Sequence, residues 1–282
     1  MAESALTPGV ETNSGKGRTD ENFPVGSWLI RRELRPHVHA FYRFARNADD
    51  VADNPNLSAE DKIRRLDHMA EVLDGALGVD APAAAAMRVS LLETGVTTQH
   101  CHDVLRAFRL DATKLRYRDW DDLMDYCRYS AAPVGRQLLD LHGEPRSTWP
   151  PSDALCSALQ VLNHLQDCGE DFRALDRVYL PERDLAACGA RIEELQKNHS
   201  SAALRATIQR LLDATATLID EARPLPSAVQ SPGLRRECAV IVTLAERLLR
   251  RLRHGDPLAT RVKLARTDFA AAFVRGFVRG RA

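Results

Sequence analysis

The chain is organised around thirteen residues, Phe41 to Asp53, which carry two stripes at helical spacing. Pro36 suits a first helical turn and Asn54-Pro55 closes the segment, so the spacing predicts a helix between them. Phe41, Ala45, Ala48 and Ala52 recur at four, three and four residues and mark the packed stripe. One step round stand Tyr42, Arg46, Asp49 and Asp53, again at four, three and four. Asp49 and Asp53 therefore stack one turn apart, roughly 6 Å from each other. Two carboxylates that close repel, and a Mg²⁺ ion removes the repulsion. A solvated acidic helix end is the competing reading, although acids at a helix C-terminus oppose the dipole.

A second stretch repeats the pattern. Gln160, Asn163, Asp167 and Asp171 follow at three, four and four residues and form one line of oxygen ligands down a helix. Hard oxygen ligands suit Mg²⁺, which keeps waters and takes phosphate oxygens as its other ligands. Two such helices facing across a cavity would hold several Mg²⁺ ions around a diphosphate.

The rest of the chain fits an all-α class. No alternating strand pattern exceeds four residues, and no Gly-rich phosphate loop or fixed repeat occurs. A length of 282 residues with 44% hydrophobic side chains supports one large core without a second domain. The expected architecture is a single helical bundle around a central cavity. Zero net charge gives no reason to expect nucleic acid as a partner. Six cysteines without a C-x-x-C pair read as reduced, mostly buried thiols of a cytoplasmic protein. No run of ~20 apolar residues is present to span a membrane. Residues 1–20 read as a disordered polar tail, and 21–282 as one domain.

Local signals add detail. Phe23 to Ile30 reads as a short helix over the cavity, or a simple hydrophobic lid. Ser58 opens a helix that ends near Gly78, and Pro82 begins another, broken at Gly95 and resumed from His100. The run Gln99-His100-Cys101-His102-Asp103 places its two histidines on different helix faces, which favours a polar face over a zinc site. Asp119 is the expected N-cap of a helix through Tyr126, with Pro133-Val134-Gly135 breaking that helix in its middle. Ser152 is the expected cap of the second ligand helix, after a loop from His142 to Pro151. Further helices are expected over Leu204 to Ala222 and Cys238 to Leu252. Pro257 to Gly280 reads as a basic amphipathic segment that touches anionic lipid, sends Arg261 to a diphosphate, or is a solvated basic face.

At this point the chain resembles the squalene and phytoene synthase family of head-to-head prenyl synthases. The resemblance rests on Asp49-x-x-x-Asp53 and Asn163-x-x-x-Asp167-x-x-x-Asp171, and covers about Asn22 to the C-terminal helix. Tyr42, Arg46, Tyr126-Cys127, Pro133-Val134-Gly135, Gln160 and Arg177-Val178-Tyr179-Leu180-Pro181 support it. Asn22-Phe23-Pro24-Val25-Gly26-Ser27, Arg35 to Tyr42 and Ser130 to Gly135 resemble the hydroxysqualene-forming bacterial branch of hopanoid pathways. Asn22-Phe23 replaces the family's Ser-x-Ser-Phe-like opening, and His164-Leu165-Gln166-Asp167 replaces its Ile-Leu-Arg-Asp. Both departures point away from phytoene or presqualene diphosphate synthesis.

The resemblance implies the isoprenoid synthase fold over 21–282, Mg²⁺, and a prenyl diphosphate substrate. The implied reaction turns presqualene diphosphate and water into hydroxysqualene and diphosphate. Asp49, Asp53, Asn163, Asp167 and Asp171 would hold the metal. Tyr126, Tyr42 and Arg46 would act in catalysis, Arg46 by drawing on the leaving diphosphate and the tyrosines by facing the cation. Tyr126 in particular is expected to act after ionisation. Asn22, Phe23, Phe41, Gln160, Tyr179 and Arg261 would contact substrate. A presqualene diphosphate synthase, a downstream oxidoreductase and peripheral contact with the inner membrane are the implied partners. Two alternatives stay open: a head-to-head transferase making presqualene diphosphate, squalene or phytoene, and a non-catalytic helical scaffold with solvated acidic stripes.

Overall fold

The expected organising helix is α1, Arg35–Ala52, with Pro36 in its first turn and the Asp53 N–H bonded to the Asp49 carbonyl at 2.8 Å. The structure, a computed structural model, describes Val10 and residues 29–279, with side chains as far as 276. The expected tail (apart from Val10, whose N–H donates to the Asp80 carbonyl at 3.1 Å), Asn22, Phe23 and most of the short segment over the cavity lie outside the described residues; Leu29 and Ile30 form a turn. The buried face of α1 is wider than the expected stripe. Phe44 and Val51 join Phe41, Ala48 and Ala52, while Ala45 is half-buried. A helix packed on several neighbours needs this broader apolar arc.

Two groups of helices follow. In the first, α1 packs on α2 (Ala59–Asp74), α3 (Pro82–Thr94) and α4 (Gln99–Asp111) around Phe44, Leu66, Met69, Met87 and Leu105, all fully buried. In the second, α5 (Trp120–Ser130), α6 (Ala132–Leu141), α7 (Trp149–Leu175), α8 (Glu182–Cys188), α9 (Ala202–Ala222), α10 (Leu225–Ala228) and α11 (Pro232–His254) enclose a larger core. The last helix, α12 (Arg266–Arg279), packs on α11 through Val240, Leu244 and Ala272. Among the described residues there is no strand, as expected.

Several boundaries follow from the expected caps. Ser58 accepts from the Asp61 N–H at 3.1 Å, Asp119 from Asp122 at 3.0 Å and Ser201 from Leu204 at 3.1 Å. Others differ. α2 stops at Asp74, because Gly75 adopts φ 126° and turns the chain before Gly78. α7 begins at Trp149, so Pro150 and Pro151 lie in its first turn and Ser152 is inside the helix, not its cap. First-turn prolines lack only N–H groups that have no helical partner anyway. Pro133 likewise begins α6; it does not kink one long helix, and the break lies at Ala131. The segment from Pro257 is helical only from Arg266, where Asp268 accepts the Ala265 N–H at 2.8 Å and fixes the helix start.

The histidine run holds no shared site. His100 is buried against Asp140 at 2.9 Å, so it does not belong to a polar face, and His102 pairs separately with Asp74 at 2.9 Å. All six cysteines are free thiols, four of them buried. No helix among the described residues is long and apolar enough to cross a membrane.

Candidate active site

A cavity of about 390 Å³ lies between the two cores, walled by α1, α6, α7 and α11. Val38, Phe41, Phe108, Leu138, Leu155 and Ile241 make most of its surface hydrocarbon. Gly135 belongs to this wall, and a Cβ there would collide with Ser152 Oγ and come within 2.7 Å of Cys156 Sγ. The glycine thus lets α6 and α7 approach closely beside the cavity.

Helical spacing carries the α1 stripe onto the same wall: Tyr42, Arg46 and Asp49 all line it. Arg46 reaches Asp49 at 3.2 Å and Asp50 at 3.3 Å. Asp53, one turn on, pairs with Arg177 at 2.9 Å. Arg177 follows α7 directly, and its N–H donates to the Asp171 carbonyl at 3.3 Å, so it ties the end of the second stripe to the end of the first. Asp167, between Asn163 and Asp171 on α7, is clasped by Arg261 through two contacts of 2.9 Å. The ends of the two acidic stripes are thus linked through Arg177, with Arg261 beside Asp167; of the expected ligands, Asp49 lines the cavity, and Asp53, Asn163, Asp167 and Asp171 do not.

The electrostatics show how close the carboxylates are. Burial, then the charge of Asp53, pushes Asp49 up to about 8, against the pull of Arg46. Burial, then Asp167, pushes Asp171 up to about 7, and Asp53 on the other helix adds to the rise. These groups crowd negative charge into a recess that disfavours it.

Tyr126 and Tyr179 sit elsewhere. Neither lines the cavity. They stack with Tyr117 and His164 behind the acid stripes, with His164 and Tyr179 parallel at 3.3 Å. The Tyr126 hydroxyl donates to Asp111 at 2.8 Å, and burial raises both tyrosines well above 10. Gln160 bonds His164 Nε2 at 3.0 Å. Burial, then Arg177, holds His164 down at about 3, so it is neutral and its Nε2 accepts from the amide. Tyr126 thus bears on the site through Asp111 and Arg177, not through an exposed ring face.

Sequence reasoning assigned no role to Arg177, Asp111 or His164. Arg177 is 6% exposed, pairs with Asp53, and donates to the Asp111 carbonyl at 3.0 Å and the Tyr179 hydroxyl at 3.4 Å. Asp111, 4% exposed, is pushed up to about 7 by burial, although Arg177 and Tyr126 stabilise its charge. Only the quoted run Arg177-Val178-Tyr179 gave a signal. Asp111 ends a helix far from either stripe in sequence, and nothing local marks it.

The comparisons with known proteins agree with this geometry. Residues 16–268 match the family model described as squalene/phytoene synthase. The chain is 47% identical over 267 residues to a hydroxysqualene synthase of Rhodopseudomonas palustris, covering 95% of this chain and 91% of that one. It is 47% identical over 251 residues to a hydroxysqualene synthase of Zymomonas mobilis, covering 88% and 84%. The solved structure of squalene synthase HpnC from Alicyclobacillus acidocaldarius superposes with a TM-score of 0.74 at 34% identity, over 84% of this chain and 90% of that one. Paired carboxylate helices over an apolar cavity, in a chain matched along nearly its whole length, have one reading: the protein belongs to the squalene/phytoene synthase family.

Proposed function

We propose that the protein is a hydroxysqualene synthase, converting presqualene diphosphate and water to hydroxysqualene and diphosphate. The observation that carries this reading is a hydrocarbon-lined cavity with Asp49 on its wall, the ends of the two acidic stripes linked through Arg177, in a chain 47% identical to hydroxysqualene synthases. Asp49, Asp53, Asn163, Asp167 and Asp171 are the proposed Mg²⁺ ligands. Among the described residues, no group of three or more His, Cys, Asp or Glu side chains is placed to hold a metal ion. The assignment rests on the oxygen chemistry of the two stripes, since Mg²⁺ is usually held by one or two carboxylates and completes its shell with water and substrate phosphate. A Mg²⁺ held by these residues would supply Lewis-acid neutralisation of charge on the leaving diphosphate.

The chain's own groups do the rest. Arg46, on the cavity wall, and Arg261, beside Asp167, direct positive charge at the acidic end. Phe41 and Tyr42 present aromatic faces to the cation left in the cavity. The apolar wall excludes bulk water from it. Tyr126 holds Asp111, and with it Arg177, in place. In this reading a presqualene diphosphate synthase supplies the substrate and an oxidoreductase consumes the product.

The test is turnover of presqualene diphosphate with Mg²⁺, with and without NADPH. Hydroxysqualene is expected at equal yield in both. Squalene appearing only with NADPH would overturn the water-capture reading.

The raised carboxylates give a second expected result. Asp49 holds its proton to about pH 8 in the folded, metal-free protein, against about 3.9 when unfolded. The folded state then binds more protons across that window, so this contribution is complete below pH ~4 and is lost as pH rises toward 8. Metal-free Asp49→Asn, which cannot ionise there, should lose less Tm between pH 6 and pH 8.5 than wild type. Parallel Tm curves for the two proteins would remove the crowding argument.

A further inference from the structure

Only one face of α12 is used in packing. Asp268, Ala272 and Gly276, four residues apart, turn toward α11. Asp268 pairs with Arg247 at 2.9 Å and Arg251 at 2.7 Å, and Ala272 packs with Val240 and Leu244. A Cβ on Gly276 would come within 2.7 Å of Val240 Cγ2. The opposite face carries Arg266, Ala270 and Val274, again four apart, and all three are exposed, Val274 to 67%. Between Arg266 and Arg275 the exposed side chains are Thr267, Ala270 and Val274, with Phe269 and Phe273 half-buried beside them. A surface helix ordinarily turns charged and polar groups outward, and this one turns hydrocarbon outward.

The charges around that face have one sign. Lys263, in the approach to α12, and Arg266 are exposed and enter no ion pair among the described residues. The acids nearby are spent. Asp268 is 5% exposed and held by its two arginines, and Glu246 is shared by Arg275 at 3.7 Å and Arg223 at 3.3 Å. The charge left for a partner is therefore positive. An apolar helix face flanked by unpaired cations matches an anionic phospholipid surface, where hydrocarbon enters the headgroup boundary and cations meet phosphate. A second copy of the chain fits poorly, since a two-fold contact presses two surfaces of the same sign together. Nucleic acid supplies phosphates but no hydrocarbon for Val274.

α11 joins this face to the cavity. Its Cys238 and Ile241 line the cavity, while its Val240 and Leu244 carry α12. Packed helices lie about 8–10 Å apart, so α12 stands one helix away from the cavity. We propose that the outward face of α12 docks the protein on an anionic phospholipid bilayer, with Val274 in the headgroup boundary and Lys263 and Arg266 on lipid phosphates. The surface stands on its own residues; its use rests on the hydroxysqualene synthase reading above. In that reading the substrate carries long hydrocarbon arms and the product carries no charge, so both partition into lipid. Docking brings the cavity wall to the phase that holds them.

The test is flotation of the full chain with vesicles, without substrate. Phosphatidylcholine alone is compared with phosphatidylcholine containing about 30% phosphatidylglycerol. Wild type is expected to float with the anionic vesicles and to be released in about 1 M salt, where screening acts within about 3 Å. Lys263→Gln with Arg266→Gln should weaken binding about thirtyfold, at about 1 kcal/mol for each basic residue. Val274→Ser leaves the charge intact and should weaken it about fivefold. All three positions are exposed and lie outside the proposed site, so melting temperature and turnover of detergent-dispersed presqualene diphosphate should match wild type. If the double variant melts early, the two single substitutions decide in its place. A wild type that floats with neither vesicle, or equally with both, overturns the docking and leaves the functional reading standing. So does unchanged flotation of folded variants. Displacement of the vesicles by a DNA duplex at equal phosphate, or a dimer broken by Val274→Ser, gives the face to another partner and also overturns it. Intact flotation without hydroxysqualene formation overturns the functional reading, and with it only the use assigned to the docking.

Discussion

Asp49→Ala and Asp167→Ala are each expected to lower turnover about a thousandfold, the equivalent of ~4 kcal/mol in the barrier. The two residues stand on different helices, α1 and α7, one in each acidic stripe. Losing either carboxylate leaves the other stripe alone to hold the Mg²⁺ that would neutralise the leaving diphosphate. Stability should move differently. Asp49 is a crowded, reluctant carboxylate, so its removal relieves repulsion that the metal-free fold otherwise bears. Its partner Arg46 keeps Asp50 at 3.3 Å. Asp167 loses its pairing with Arg261, which is 44% exposed, and such pairs contribute little. Steady-state rates at saturating Mg²⁺, with urea unfolding alongside, separate the two effects. Near wild-type turnover in either variant would refute the ligand assignment, and collapse of the fold would refute the crowding argument.

Arg177→Met should be the most destabilising single change in the site, costing about 3–5 kcal/mol at pH 8. The guanidinium bonds Asp53, the Asp111 carbonyl and the Tyr179 hydroxyl while being 6% exposed. Methionine replaces its volume but leaves the Asp111 carboxylate buried without its cation. The pH dependence identifies the cause. Asp111 is already held up near 7 with Arg177 present, so without it the folded protein binds that proton more tightly still. Protonation then offers an escape, and the penalty should be smaller at pH 5.5 than at pH 8. Arg177→Lys should recover only part of the loss, since one ammonium does not reproduce the fork that reaches several acceptors. Urea unfolding at both pH values decides it: a loss below about 1 kcal/mol at pH 8 would mean that this buried network is not what joins the ends of α1 and α7.

What was legible in the sequence was what repeats at helical spacing. The stripes on α1 and α7 are periodic and local, so Asp49, Asp53, Asp167 and Asp171 were found from spacing alone. The caps at Ser58 and Asp119 were legible because a single side chain and a nearby N–H suffice. Helix starts were legible at Pro36 and Pro82 but not at Pro133, Pro150 and Pro151. A proline reads as a breaker, and only the packed structure shows that Pro133, Pro150 and Pro151 sit in first turns. Arg177 and Asp111 escaped for a different reason. Their roles come from contacts across 66 residues of chain, and no local pattern announces a buried charge that is paired at that distance. Tyr126 was visible as a residue, but its burial against Asp111 moves it off the cavity wall where its aromatic ring was expected.

The cavity is also a seam. Phe41 on its α1 side belongs to the smaller core, and Leu155 on its α7 side belongs to the larger one. A hydrocarbon chain lying between them touches both cores at once and buries apolar surface on each. Substrate therefore acts as a temporary piece of the interior. Its departure would remove the contacts that it shares with both halves of the bundle. Product release and loosening of the bundle are then one event, which links the ease of emptying the cavity to how tightly the two cores are held together elsewhere.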